Sequence, residues 1–130
     1  MKDVVVDASA LLDAFALPDV RPRLVERLAA ATWHAPQLLD VEVLHVLRRM
    51  RLRGAVSDGQ SDVVVQLLEQ ARIHRYPHET LRRRIWGLRA AVTAHDGTYV
   101  ALAEVLRVPL VTTDARLAGS NGHHAVVEAY

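Results

Sequence analysis

Two short apolar runs, Val4-Val5-Val6 and Leu110-Val111-Thr112-Thr113, each end on an aspartate that opens a helix-forming stretch. Asp7 is followed by Ala8-Ser9-Ala10-Leu11-Leu12, and Asp114 by Ala115-Arg116-Leu117. Continuous β-branched runs of this kind read as strands buried on both faces, the strands of a parallel sheet. Parallel strands need long crossovers, usually helices, and these cover the sheet. The two runs thus restrict the chain to an α/β architecture. They also put each aspartate at the carboxyl end of a strand, the rim where open α/β sheets bind ligands.

The remaining sequence alternates accordingly. Strands are predicted at 3–6, 32–35, 73–76, 110–113 and 124–129. Helices are predicted at 8–16, 23–31, 37 or 38 to 53, 57 or 58 to about 72, 78–88 and 96–106, with a short helical turn after Asp114. Gly54 stands where a helix C-terminus wants glycine, and Gly119-Ser120-Asn121-Gly122 reads as a turn rather than a boundary. The 130 residues therefore read as one domain, 1–130, large enough to build a core without staples. Cysteine is absent, which excludes disulfides and thiolate metal sites. No apolar stretch approaches the roughly 20 residues of a membrane span, and Lys2-Asp3 does not suit a signal peptide, so the expected location is cytoplasmic.

Four carboxylates are candidates for chemistry: Asp7, Glu42, Asp96 and Asp114. Asp7, Asp96 and Asp114 each precede a predicted helix and can also be read as N-caps. Glu42 has no such explanation. It lies in Leu38-Leu39-Asp40-Val41-Glu42-Val43-Leu44, on a helix face with Leu39 and Val46, where burying an unpaired carboxylate is costly. Its bland alternative is a half-exposed helix glutamate paired with Arg49 or a neighbour. Carboxylates brought to about 4 Å repel by about 4 kcal/mol per pair at an effective dielectric of 20. Such a cluster calls for a hard oxygen-seeking cation, Mg²⁺ or Mn²⁺, and oxygen ligands do not discriminate between them. No glycine-rich phosphate loop follows the first strand, a receiver domain would want a late lysine where Lys2 is the sole one, and a haloacid-dehalogenase-type phosphatase would want an acid at Ser9.

The chain resembles PIN-domain proteins, and in particular the VapC toxins of bacterial toxin–antitoxin pairs. The resemblance rests on Val4-Val5-Val6-Asp7-Ala8-Ser9-Ala10-Leu11, on Glu42-Val43-Leu44 with Leu47-Arg48-Arg49, on Asp96-Gly97-Thr98-Tyr99-Val100-Ala101-Leu102-Ala103, and on Leu110 to Leu117. It implies a three-layer α/β/α fold with a five-stranded parallel sheet in the order 3-2-1-4-5. It also implies a Mg²⁺-dependent endoribonuclease that leaves 5′-phosphate and 3′-hydroxyl ends. By position, Asp7, Glu42, Asp96 and Asp114 match the acidic quartet, with Asp7, Asp96 and Asp114 holding metal and Glu42 handling the attacking water. Ser9 and Thr113 match the supporting hydroxyl positions. A homodimer and a VapB-type antitoxin, its tail reaching the acids with an arginine, are implied as well. The rival reading is the same fold as a non-catalytic RNA-binding or antitoxin-binding module. Three residues depart from the pattern: Gly97 where alanine is common, His95 before Asp96, and His45 where asparagine is common.

The net charge is only +1, so any nucleic-acid contact depends on local distribution. Arg48, Arg49, Arg51 and Arg53 end the Glu42 helix, and Arg82-Arg83-Arg84 lie in the fifth. They read either as solvated helix ends or as a phosphate-binding flank. Arg48, Arg49 and Arg116 are the candidate RNA contacts. No aromatic platform for bases is evident from the sequence.

Overall fold

β1 (Asp3–Val6) is the centre of the sheet, and its three valines are fully buried. The computed structural model describes residues 2–130. After β1 come α1 (Ala8–Ala16), α2 (Pro22–Ala29), β2 (Thr32–Pro36), α3 (Leu38–Leu52), α4 (Asp58–Gln70) and β3 (Ile73–Tyr76). A single 3₁₀ turn (Glu79–Leu81) leads into α5 (Arg82–Gly87), followed by α6 (Ala94–Leu106), β4 (Leu110–Thr112), α7 (Ala115–Ala118) and β5 (Val127–Ala129). The strands form one sheet in the order β3-β2-β1-β4-β5, with every pairing parallel. This is the order and direction the sequence resemblance implied.

Right-handed crossovers fix which face each helix covers. The chain steps from β1 to β2 to β3 in one direction, so α1 to α4 share a face, where α1 packs on α3 and α4. It then returns across the sheet to β4, which puts α5 and α6 on the opposite face, with α6 lying over β1 and β2. Phe15 of α1 meets Trp33 of β2 at a centroid distance of 6.1 Å, marking the first face. The core between these layers is aliphatic, with Leu11, Leu24, Leu39, Val43, Leu102 and Leu110 among its buried side chains.

Helix ends follow local chemistry. Ser57 caps α4 in a full capping box with Gln60, and Gly54 takes φ +77° just after α3. Most boundaries agree within one or two residues, and three differences have a local cause. The predicted helix 78–88 is a 3₁₀ turn plus a six-residue helix, because Leu81 and Leu88 are buried but nothing within α5 is. β5 is shorter than 124–129. The His124 amide goes to Glu104 Oε2 at 2.7 Å and the Ala125 amide to His123 Nδ1 at 3.2 Å, so neither is free for the sheet. α6 begins at Ala94, not at Asp96, because Thr93 is its cap and accepts from the Asp96 amide at 3.2 Å.

Gly97 lies in the first turn of α6, where a Cβ would sit 3.5 Å from Ile85 Cγ2 and 3.6 Å from Val92 Cγ2. Those are ordinary contact distances, and glycine weakens a helix relative to alanine by about 0.8–1.0 kcal/mol. Gly97→Ala is therefore expected to stabilise the protein by roughly 0.5–1 kcal/mol, visible as a higher urea midpoint at unchanged m-value.

Candidate active site

Asp7 follows β1 directly and is 5% exposed. Its Oδ1 accepts from the Ala10 amide at 2.9 Å, which caps α1, and from Ser9 Oγ at 2.7 Å. Its Oδ2 accepts from the hydroxyl of Thr112, the last residue of β4. The same Thr112 oxygen accepts from the Asp114 amide at 3.0 Å, so one hydroxyl ties together the ends of β1 and β4. Asp114 caps α7 by accepting from the Arg116 amide at 2.9 Å. The capping reading of Asp7 and Asp114 thus holds, and it does not compete with a rim role, since one side chain satisfies both. For Asp96 it fails: Asp96 occupies the first turn of α6 and Thr93 caps.

The hydroxyl that reaches Asp7 belongs to Thr112. Thr113, the position the resemblance points to, contributes its amide to Ser9 Oγ at 3.2 Å. Strand alternation is the signal that distinguishes them, because adjacent residues project to opposite faces.

Glu42 reaches the same region from α3. The pairing with Arg49 does not form. Glu42 Oε1 instead accepts from the hydroxyl of Tyr99 on α6 at 2.5 Å. Tyr99 is almost wholly buried, one turn after Asp96 on the face α6 turns to the sheet.

The electrostatics show that these acids feel one another. Burial pushes the Asp7 carboxyl up to about 6 against the pull of its three hydrogen bonds, and the charge of Asp96 pushes it further. Asp96 is raised by burial and by Asp114, with Arg116 opposing. The Tyr99 hydroxyl is held protonated by burial, by its bond to Glu42, and by the charges of Glu42, Asp7 and Asp96. α1 and α6 both begin here, and the N-terminal ends of their dipoles favour negative charge. Among the described residues, no three acidic or histidine side chains close into a ready cage for an ion. The donor set is nonetheless oxygen-only, mutually repelling and partly desolvated, which fits a hard dication and no soft metal.

The basic candidates separate. Arg116 lies beside the cluster, its guanidinium 3.4 Å from Asp114 Oδ2 and its side chain 87% exposed. A groove of about 410 Å³ is walled by Asp96, Arg116, Thr93 and Arg89 among others. Arg48 and Arg49 are exposed on α3, six and seven residues beyond Glu42, hence roughly 10 Å further along the helix and away from the rim. Arg51 is committed to an ion pair with Asp58.

The chain matches the PIN-domain family over residues 4–119. It belongs to that family. Within it, ribonuclease VapC12 of Mycobacterium tuberculosis is 40% identical over 125 residues, 96% of this chain and 97% of that protein. Ribonuclease VapC1 of the same organism is 41% identical over 124 residues, covering 94% and 93%. This PIN domain is thus of the VapC type. Solved structures agree on the fold. VapC20 of M. tuberculosis, a sarcin-ricin loop cleaving toxin, superposes with TM-score 0.68 at 14% identity over 95% of this chain and 98% of that one. The protein PAE2754 of Pyrobaculum aerophilum gives TM-score 0.67 at 24% identity over 96% and 90%. In this VapC-type PIN domain Asp7 and Asp114 lie at the carboxyl ends of β1 and β4.

Proposed function

We propose that this protein is a metal-dependent endoribonuclease and the toxin of a VapBC-type pair. What supports the reading is a chain of mutual influence: Asp7 feels the charge of Asp96, Asp96 that of Asp114, and Tyr99, bonded to Glu42, feels Asp7 and Asp96. The name ribonuclease, borne by relatives about 40% identical over nearly the whole chain, supports it.

In this reading Asp7, Asp96 and Asp114 hold the ion, Mg²⁺ or Mn²⁺. Once bound, the ion would draw charge from the phosphoryl oxygens and make a nearby water more acidic. Glu42, oriented by the Tyr99 hydroxyl, accepts the proton of the attacking water. That water adds to phosphorus opposite the 3′ oxygen, the P–O3′ bond breaks, and the 3′ oxygen takes a proton from solvent to leave as a hydroxyl while the phosphate stays on the 5′ end. Ser9 and Thr112 keep Asp7 in place. Arg116 beside the groove meets the phosphate backbone.

The partners follow from exposed surface. Val41, Leu44 and Leu52 of α3 and Val63 and Leu67 of α4 stand in solvent on the outer face of the helical layer, which suits a second copy or a VapB-type antitoxin. Among the described residues, no helix is long and apolar enough to cross a membrane; the cytoplasmic location is proposed from the cellular RNA such a toxin would act on.

The test is cleavage of total cellular RNA by purified protein with mapped ends. Cuts are expected in Mg²⁺ with 5′-phosphate termini, none in chelator, and a loss of roughly a hundredfold or more in Asp96→Asn. Full cleavage by Asp96→Asn would refute the assignment. Binding without any cutting would favour the passive module.

A further inference from the structure

Trp86 is 68% exposed on α5, a helix that buries none of its own residues and is anchored at its two ends by Leu81 and Leu88. An indole left in solvent does nothing for the core. Its surroundings are basic. The Arg89 guanidinium lies 4.7 Å from the ring centroid and donates to the Trp86 carbonyl at 2.9 Å, which steadies one side of the indole. Arg82 and Arg83 line a second hollow with Trp86, together with Thr80 and the single acid Glu79. Of the arginines on this segment, Arg84 is committed to Glu104 through two bonds of 2.8 Å. Arg82, Arg83 and Arg89 have no carboxylate partner among the described residues.

This surface is continuous with the acidic rim. A hollow of about 390 Å³ beside Trp86 shares Arg89, Val92 and Thr93 with the groove of about 410 Å³ that opens on Asp96 and Arg116. A polyanion approaching the acids needs positive charge on its path, and here that charge surrounds an open aromatic face. Exposed aromatics flanked by arginine bind unpaired bases by stacking, with little regard to base identity.

We propose that Trp86 stacks an unpaired base of the RNA substrate while Arg82, Arg83 and Arg89 take the adjoining phosphates, feeding the strand to Asp96 from the α5 side. The proposal rests on the ribonuclease reading of the acidic site. It makes the substrate single-stranded, or looped, where it crosses α5.

Fluorescence, affinity, its salt dependence and cleavage kinetics test it. In chelator, a short single-stranded oligoribonucleotide is expected to quench the emission of wild-type protein, and its fully paired duplex is not. The quench should disappear in Trp86→Phe, whose phenyl ring still stacks and whose affinity stays within about threefold. Trp86→Ala should bind roughly tenfold or more weakly and cleave with raised KM at near-normal kcat. Changing Arg82, Arg83 and Arg89 together to glutamine should flatten the dependence of log K on log salt by about two. Equal quenching by duplex, or wild-type binding and cleavage by Trp86→Ala, would overturn the proposal. So would an emission that responds to protein concentration and not to RNA, which would mean a second copy covers the ring. If wild type cleaves and no quench appears, the stacking proposal alone fails. If the quench appears and wild type never cleaves in Mg²⁺, the platform stands and the nuclease reading falls.

Discussion

Asp7→Asn is expected to produce a protein that no longer cuts RNA yet is harder to unfold. Both effects come from one carboxylate. Its charge is what an ion at the rim requires, and losing it should lower cleavage by at least roughly a hundredfold. The same charge is held at 5% exposure, with its carboxyl raised to about 6 from 3.8. A raised carboxyl means that the folded chain binds the proton more tightly than the unfolded one. Stability without metal is therefore greatest below pH about 4, falls as pH rises towards 6, and stays lower above it. A shift of about two units corresponds to about 3 kcal/mol at neutral pH. Asparagine caps a helix as well as aspartate does, so the bond from the Ala10 amide survives, and the new amide can donate to Thr112. In chelator at pH 8, Asp7→Asn should melt up to roughly 10 °C above wild type, with the gap closing as pH drops through 6 to 4. A variant that melts below wild type at pH 8 would show that the buried charge is not strained.

The second large effect separates chemistry from scaffolding at Glu42. Glu42→Gln and Glu42→Ala should both lose cleavage by roughly a hundredfold or more, since neither accepts a proton from water. Their stabilities should differ. Glutamine keeps a carbonyl oxygen for the Tyr99 hydroxyl, which now bonds Glu42 at 2.5 Å. Alanine strands that hydroxyl in a buried place, at a cost of about 1–3 kcal/mol. Urea unfolding of the two variants in chelator is the measurement. Equal stability would mean that water reaches Tyr99, and retained cleavage in Glu42→Gln would remove Glu42 from the proton path.

The strand and helix order was legible because the apolar runs are short, β-branched and bounded by turn residues, and the parallel pairings follow from them. Asp7 and Asp114 were legible for the same reason: a strand's end is visible in sequence. The alternative reading of Asp96 as a cap fails because Thr93, three residues earlier, caps equally well and takes the Asp96 amide. Thr113 was preferred to Thr112 on resemblance, where the pleat favours its neighbour. Tyr99 was read as a buried residue of α6, and its bond to Glu42 spans 57 positions with no local trace. Trp86 was invisible as a platform. Exposure of an aromatic on a short helix depends on what the rest of the chain fails to cover, and no window of sequence reports that. The break in the predicted helix 78–88 differs, since its cause is local: three arginines in a row leave too few apolar positions for a packed face.

Asp7 and Asp114 each commit one oxygen to the first turn of the helix that follows them. Glutamate carries the same charge but is not a favoured cap, because its extra methylene overshoots the amides it would have to meet. A like-for-like exchange at either place would therefore damage the start of a helix even before any ion was missed. The acidic rim of this protein is written into its folding instructions, and mutational drift that spares one has little room to alter the other.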